Sequence, residues 1–292
     1  MKKTLVIYNQ ISGRNRRFKV NHFVKKYLTR KRFVLTFKNY ENFLADASLA
    51  KDWNYDLVIV IGGDGTIRQV ASFLLSNEIR TPLAIVPTGS ANVLAHGLGI
   101  PLNLKQAIRL IPRSQPFAID VGRINGSYYF ISAFTIGYIA DRILAAGRRL
   151  KDHFGFIGYL MSFFFNRHLP HHTFRFSVDD QEFVYEGNTL FIVNTAKLYG
   201  FTTKRRVLLD DRKMELTIAT NSNFWSFFLA TYYYYFHKQP PRHLIISEGS
   251  RFTIATDGLL HPQIDGDYLE LPAGTKELDI EVLHKKLLVL KP

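Results

Sequence analysis

Leu57-Val58-Ile59-Val60-Ile61 is apolar at every position and runs straight into Gly62-Gly63-Asp64-Gly65-Thr66. A run that is apolar throughout, rather than at alternate positions, fits a strand covered on both faces, as in a parallel sheet flanked by helices. The glycines impose a tight turn, and Ile67-Arg68-Gln69-Val70 then opens a helical pattern. Glycine lets a ligand approach the backbone closely. The start of the helix offers unpaired N–H groups and partial positive charge, which suit phosphate. Asp64 adds a carboxylate suited to magnesium or its waters. Taken alone, the pentapeptide reads more simply as a plain turn capped by Thr66.

Three further short apolar runs lie in the first 125 residues, at 5–8, 33–37 and 83–86, with helix-length segments at 18–31, 40–51, 67–77 and 104–111. This alternation predicts a Rossmann-like α/β domain with a mostly parallel sheet over residues 1–125. Two of the strands end in polar, glycine-bearing loops of their own. These are Asn9-Gln10-Ile11-Ser12-Gly13-Arg14 and Thr88-Gly89-Ser90-Ala91-Asn92. Ligands of open α/β sheets sit outside the carboxyl ends of the strands, so three such loops are expected to converge on one crevice.

The pattern changes near Asp120. Short β-rich pieces follow at 127–132, 174–178, 189–194, 215–220, 244–247, 251–255, 279–282 and 286–290. They predict an antiparallel β-sandwich over residues 126–292, whose last strand is able to pack back on the first domain. Residues 142–167 and 224–237 read as helical or irregular insertions. Late in the chain, Gln263-Ile264-Asp265-Gly266-Asp267 sets two carboxylates around a turn glycine. A carboxylate beside a phosphate can take an alcohol's proton or hold magnesium. The structural alternative is an ordinary β-turn.

These elements, in this order, resemble the diacylglycerol-kinase-like and sphingosine-kinase-like lipid kinases, especially the small bacterial-type members. The resemblance extends over Asp120-Val121-Gly122, Tyr129-Phe130, Gly137, the segment 194–200 and the closing Leu-Val-Leu-Lys-Pro. It implies an ATP-binding α/β domain, a lipid-binding β-sandwich, and phosphoryl transfer from ATP, with Mg²⁺, to a membrane lipid such as diacylglycerol or a sphingoid-like alcohol. By that likeness Asn9, Ser12 and Gly13 lie at the nucleotide, and Arg14 and Lys19 meet its phosphates. Gly62, Gly63, Asp64, Gly65 and Thr66 cradle the phosphates and the metal, Gly89, Ser90 and Asn92 complete the pocket, and Thr36 is a further contact. Asp265 and Asp267 stand where the family has Asp-Gly-Glu. One would take the lipid's proton while the other binds magnesium or orients water, with Asp64 as a rival base. Asp211 is a candidate ligand of a structural magnesium, against the plainer reading of a charged hairpin turn.

The chain also departs from the pattern. Gln10 replaces a proline, Val93 stands where an Asp is common, Phe201-Thr202-Thr203 replaces a glycine run, and Leu209-Asp210-Asp211-Arg212 lacks the usual Asp-Gly. A soluble kinase of the NAD-kinase type, or a non-catalytic lipid- or nucleotide-binding relative, are the alternatives.

Composition narrows the field further. The chain has 292 residues and no cysteine, which excludes disulfides, Cys-ligated zinc, iron–sulfur clusters and thiol nucleophiles. Its 38 Lys+Arg against 24 Asp+Glu give a net charge of +14, which favours a polyanionic partner. From Arg14 to Lys38 there is no acid, and peripheral contact with an anionic membrane is the expectation. Nucleic acid, resting on charge alone, is not expected. No stretch reaches the ~20 apolar residues of a membrane span, so a cytoplasmic, membrane-peripheral location is expected. The aromatic segments 154–165 and 224–236 are read together as a lipid-entry rim, with sandwich core or a homodimer contact as alternatives.

Overall fold

In the computed structural model the described residues are 1–9, 17–29, 33–46, 48–138, 171–194, 197–198, 201–202, 208–220, 244–256 and 261–292, with the side chains of 17–20, 197–198 and 201–202 set aside. The expected insertions at 142–167 and 224–237 lie outside them, as do Gln10, Ser12, Gly13 and Arg14. The chain divides into two units, Met1–Ile119 with Lys285–Pro292, and Asp120–His284.

The first unit is α/β. Its strands β1 (Lys2–Tyr8), β2 (Phe33–Asn39), β3 (Leu57–Gly62) and β4 (Leu83–Pro87) alternate with helices α1 (Arg17–Leu28), α2 (Tyr40–Ala45), α3 (Asp64–Ser76), α4 (Val93–Leu98) and α5 (Leu104–Leu110). The strands run parallel in the order β2-β1-β3-β4. Val6, Leu57, Ile59, Ile61, Ala84 and Val86 pack against Val24 and Leu28 of α1 and Ile108 of α5. The residues between them, Leu5, Ile7, Val58, Val60, Leu83 and Ile85, are also buried and point to the other face by the period of two. The uninterrupted apolar runs of β3 and β4 are thus explained by helices on both sides.

Two helix boundaries differ from the sequence expectation. α2 stops at Ala45 rather than near residue 51, because the Asp46 carboxylate takes the backbone N–H and hydroxyl of Ser48 and pairs with Lys38. Such local side-chain bonds compete with helix continuation. α3 begins at Asp64, inside the glycine loop, with Gly63 rather than Thr66 at its cap.

The second unit is built from antiparallel sheets. In chain order the strands are β5 (Gln115–Ile124), β6 (Tyr128–Phe130), β7 (Ala133–Gly137), β8 (His172–Val178), β9 (Gln181–Gly187), β10 (Thr189–Val193), the short pair β11 (Lys197–Leu198) and β12 (Phe201–Thr202), β13 (Met214–Ala219), β14 (Leu244–Gly249), β15 (Arg251–Thr256), β16 (Gln263–Ile264), β17 (Asp267–Tyr268) and β18 (Glu277–Lys291). One sheet is ordered β14-β13-β10-β7-β16-β17. In the other, β15 lies between β18 and β8, and β9 follows β8. Phe134, Leu190, Ile192, Leu216 and Ile264 from the first meet Phe174, Phe176, Phe252, Ile254, Leu278 and Ile280 from the second in one apolar core.

The two strands expected at 279–282 and 286–290 are one strand, β18. Lys285 adopts a positive φ of 47° and residues 284–286 are exposed, which breaks the alternation without breaking the strand. Residues up to His284 count with the second unit and pair with β15; beyond it, Val289 pairs in parallel with Leu83 of β4 in the first.

Candidate functional site

At the carboxyl ends of β1, β3 and β4, three loops are tied directly to one another. The Asn9 N–H donates to the carbonyl of Ile61 at 3.1 Å, and its side-chain amide donates to the Thr66 hydroxyl at 2.9 Å. The Thr88 N–H donates to the Gly62 carbonyl at 2.9 Å. Gly63 and Gly89 then touch backbone to backbone. A Cβ built on Gly89 would lie 2.6 Å from the Gly63 Cα, and one on Gly63 would lie 3.1 Å from the Gly89 Cα. A side chain at Gly89 would force the backbone apart, and one at Gly63 would be tight, which is the physical reason for glycine at this contact. Asn9, the described residue of the first loop, thus meets the second loop, and the second and third loops pack on each other.

Asn92 turns inward. It sits in the left-handed region at φ 49°, its Oδ1 accepts the Gly89 N–H at 2.9 Å, and its Nδ2 donates to the Gly89 carbonyl at 2.8 Å. Its side chain closes the 89–92 loop on itself, fixing the shape of the pocket rather than offering a donor to it. Ser90 is exposed at the same loop. Gly65 lies in the first turn of α3. Lys19 lies in α1, but its side chain is outside the description.

Asp64 is the first helical residue of α3. Its Oδ1 is buried and makes no hydrogen bond. Burial pushes its carboxyl above the ordinary value, and the amides of Leu94, Val93 and Asn92 only partly offset this. An unpaired, buried carboxylate oxygen is costly. A hard cation coordinated by oxygen would remove that cost, so Asp64 fits the magnesium that the family's chemistry implies.

Thr36 does not join the cluster. It pairs with Leu5, in the middle of β1, and its side chain is exposed. The carboxyl end of β2 is Asn39, three residues or ~10 Å further on, and Asn39 caps α2.

In the second unit the late Asp-Gly-Asp is a two-residue hairpin between β16 and β17. Asp265 (φ 50°) and Gly266 (φ 81°) both take the positive φ that this tight turn requires. The Asp265 carboxylate accepts three backbone N–H groups, from Ile131 at 2.8 Å, Ser132 at 2.7 Å and Ala133 at 3.0 Å. Its own N–H donates to the Ala133 carbonyl at 2.8 Å. Asp265 therefore clamps the turn before β7, and its lone pairs are committed to that task. Asp267 is half-buried on the other arm of the hairpin.

Two groups that the sequence reading left without a role sit beside that turn. Asn194 donates from Nδ2 to the carbonyls of Asp120 (2.8 Å) and Ile131 (3.1 Å), and its backbone N–H reaches Ser132 at 2.9 Å. Asp120, fully buried, accepts the Arg212 N–H at 2.6 Å and lies 3.0 Å from His284 Nδ1. The loop 209–212 is thus held by Asp120. Asp211 itself is exposed and takes only the Lys213 N–H, at 3.1 Å, in a local turn. Among the described residues no group of three His, Asp or Glu could hold a metal, and the described contact of Asp211 is that of a local turn. In the sequence Asp120 and Asn194 stood out only as members of the resemblance, in Asp120-Val121-Gly122 and the segment 194–200.

Comparison with known proteins gives the same picture. Residues 3–124 match the model of the diacylglycerol kinase catalytic domain. The chain is similar to the diacylglycerol kinase of Bacillus subtilis (strain 168), at 26% identity over 288 residues, covering 92% of this chain and 90% of that one. It is also similar to the probable lipid kinase YegS-like of Yersinia pestis (strain Pestoides F), at 38% identity over 106 residues, which is 36% of each chain. Residues 3–124 thus resemble a diacylglycerol kinase catalytic domain, and the similarity to a kinase of that kind continues over most of the chain. Two solved structures from Bacillus anthracis str. Sterne cover 100% of it. One has a TM-score of 0.82 at 22% identity, over 95% of that chain. The other, a diacylglycerol kinase, has a TM-score of 0.74 at 20% identity, over 97% of that chain. At such identities the likeness establishes the two-unit fold. The matched segment includes the glycine loops and their contacts in the first unit. Val93, in place of the common Asp, is a buried residue at the start of α4.

Among the described residues no helix is long and apolar enough to cross a membrane.

Proposed function

We propose that this chain transfers the γ-phosphoryl group of ATP to a hydroxyl of a membrane lipid, diacylglycerol or a sphingoid-like alcohol, with Mg²⁺ as the metal. The observation that carries this reading is the Gly63–Gly89 backbone contact, which leaves a side-chain-free cradle at the start of α3. Unpaired N–H groups of the first helical turn suit phosphate oxygens. Asp64, at that same end, would repel an anion unless a cation lay between them, and its unpaired buried oxygen is available for one. Magnesium, when bound, neutralises charge on the phosphates.

The chain's own residues position and move the proton. Asn9 ties the end of β1 to Thr66, and Asn92 holds the 89–92 loop in shape. In the transfer, the lipid oxygen forms a bond to the γ-phosphorus as the bond to the β,γ-bridging oxygen breaks, and ADP leaves. The hydroxyl proton goes to a carboxylate. Asp265 is occupied by three amides, so this reading gives the proton to Asp267 and makes Asp265 its positioning residue. Catalysis of this kind is positioning and charge neutralisation.

The test is incubation with [γ-³²P]ATP, Mg²⁺ and mixed micelles carrying a panel of diacylglycerols, ceramides and sphingoid bases, with NAD in a parallel arm. Label in at least one lipid, lost in Asp267→Asn, is the expected result. Label in NAD alone, or in no acceptor at saturating magnesium, overturns the proposal.

A further inference from the structure

α1 and α5 pack together on one face of the first unit's sheet, and neither contains an acid; nor does the 3-10 turn 111–113 that follows α5. Their basic side chains stand on aromatic rings. Phe23 and Tyr27, one turn apart on α1, are stacked with centroids 6.1 Å apart at 19°. Lys105 Nζ lies 4.8 Å above the Phe23 ring, and Arg109 Cζ lies 4.9 Å above Tyr27. Arg109 also donates to the Tyr27 hydroxyl at 2.8 Å, holding that hydroxyl's pKa below its ordinary value. Lys25 covers Phe37 at 5.1 Å. Cation–π contacts fix each charge in place without neutralising it. Lys25, Lys26, Lys105, Arg109 and Arg113 are all exposed.

A groove of about 1120 Å³ opens beside this ladder, lined by Lys2, Tyr27, Phe33, Arg109, Pro112 and Arg113 among others. Its acid, Asp56, is engaged by the backbone N–H of Lys3 at 2.8 Å. Leu102, ahead of α5, is 46% exposed. The surface therefore combines held positive charge with an apolar rim.

We infer that the α1–α5 face and its groove dock the protein on anionic phospholipid headgroups at a bilayer surface. A second copy of this chain is a poor occupant, because an acid-free face repels itself in a two-fold contact. Nucleic acid is disfavoured because Phe23 and Tyr27 already carry cations on their faces and cannot stack on bases. An anionic bilayer matches both the charge and the apolar rim. The choice of lipid over other polyanions rests on the lipid-kinase reading; the charge and its geometry do not.

The test is sedimentation of the full chain, without ATP, with vesicles of phosphatidylcholine alone or with a third phosphatidylglycerol. Wild type is expected to pellet with the anionic vesicles only, and to release at high salt. Lys105→Gln with Arg109→Gln should weaken binding about fivefold for each charge removed. Lys25→Gln with Lys26→Gln should do the same, and serves if the first pair fails to fold by circular dichroism. Lys213→Gln with Lys276→Gln, exposed charges of the second unit, should leave binding near wild type. Equal loss in all three pairs, no wild-type binding, or binding to an oligonucleotide but not to vesicles overturns the inference. Vesicle binding without lipid labelling sinks the kinase reading instead. Labelling in neutral micelles that survives Lys105→Gln and Arg109→Gln separates docking from turnover.

Discussion

Asp64 stores an unfavourable buried charge in the resting protein, and its carboxyl is raised chiefly by burial. The folded state therefore binds a proton over a pH range in which the unfolded chain has already lost it. Stability from this group is fully present below the ordinary Asp value and is lost as pH rises through the raised folded value. Asp64→Asn should make the magnesium-free protein more stable at pH 7 and flatten that acid-side dependence, as read by thermal melts across pH. Turnover of the same variant should fall a hundredfold or more, on the order of losing one charge-stabilising group. Added Mg²⁺ should raise the melting temperature of wild type more than that of the variant. The two carboxylates of the hairpin should separate in the opposite way. Asn tolerates the positive φ of position 265 but has only one oxygen to offer where three amides converge. Asp265→Asn should cost about 1–3 kcal/mol of stability in a denaturant titration, whereas Asp267→Asn should remove turnover in a protein that still folds by circular dichroism.

Loops and strands define the next scale. Gly89→Ala would drive a Cβ to 2.6 Å from backbone at Gly63, and neither loop can yield, since Asn92 and Thr88 pin both. A loss of about 1–3 kcal/mol is expected, together with loss of nucleotide binding in a fluorescent-ATP titration. Much of this level was legible in the sequence. The doubly covered runs of β3 and β4 and the glycines behind them announce both the parallel sheet and the three loops, because the chemistry is local. Asp265 was legible as a turn residue but not as a clamp: its partners lie over a hundred positions away at residues 131–133, and no local pattern encodes them. Asn194 and Asp120 were hidden for the same reason. Asp211 was open to two readings because an acid in a turn looks alike whether it faces a cation or a neighbouring N–H. The α2 boundary was missed because Asp46 and Ser48 bond each other, an option that helical periodicity does not register.

Across the whole molecule, the second unit's final strand is also the first unit's. Beyond His284, β18 contributes Leu287, Val289 and Leu290, all buried, with Leu290 in the same core as Ile59 and Ile108. Lys291 caps Phe117 at 4.4 Å. Burying aliphatic side chains of this size contributes about 1.5–3 kcal/mol each, so together they rival a domain's net stability. A chain shortened by residues 285–292 should lose its cooperative melt by circular dichroism and fail to bind nucleotide, although every loop residue is still present.

That arrangement also orders events at the ribosome. Domains generally fold as units as they emerge, amino-terminal first. Here residues 1–119 leave the exit tunnel early and must wait for 285–292 to complete their sheet. During translation the nascent chain therefore has an unfinished sheet beneath its glycine loops, and the first unit is completed only after the entire second unit has been made.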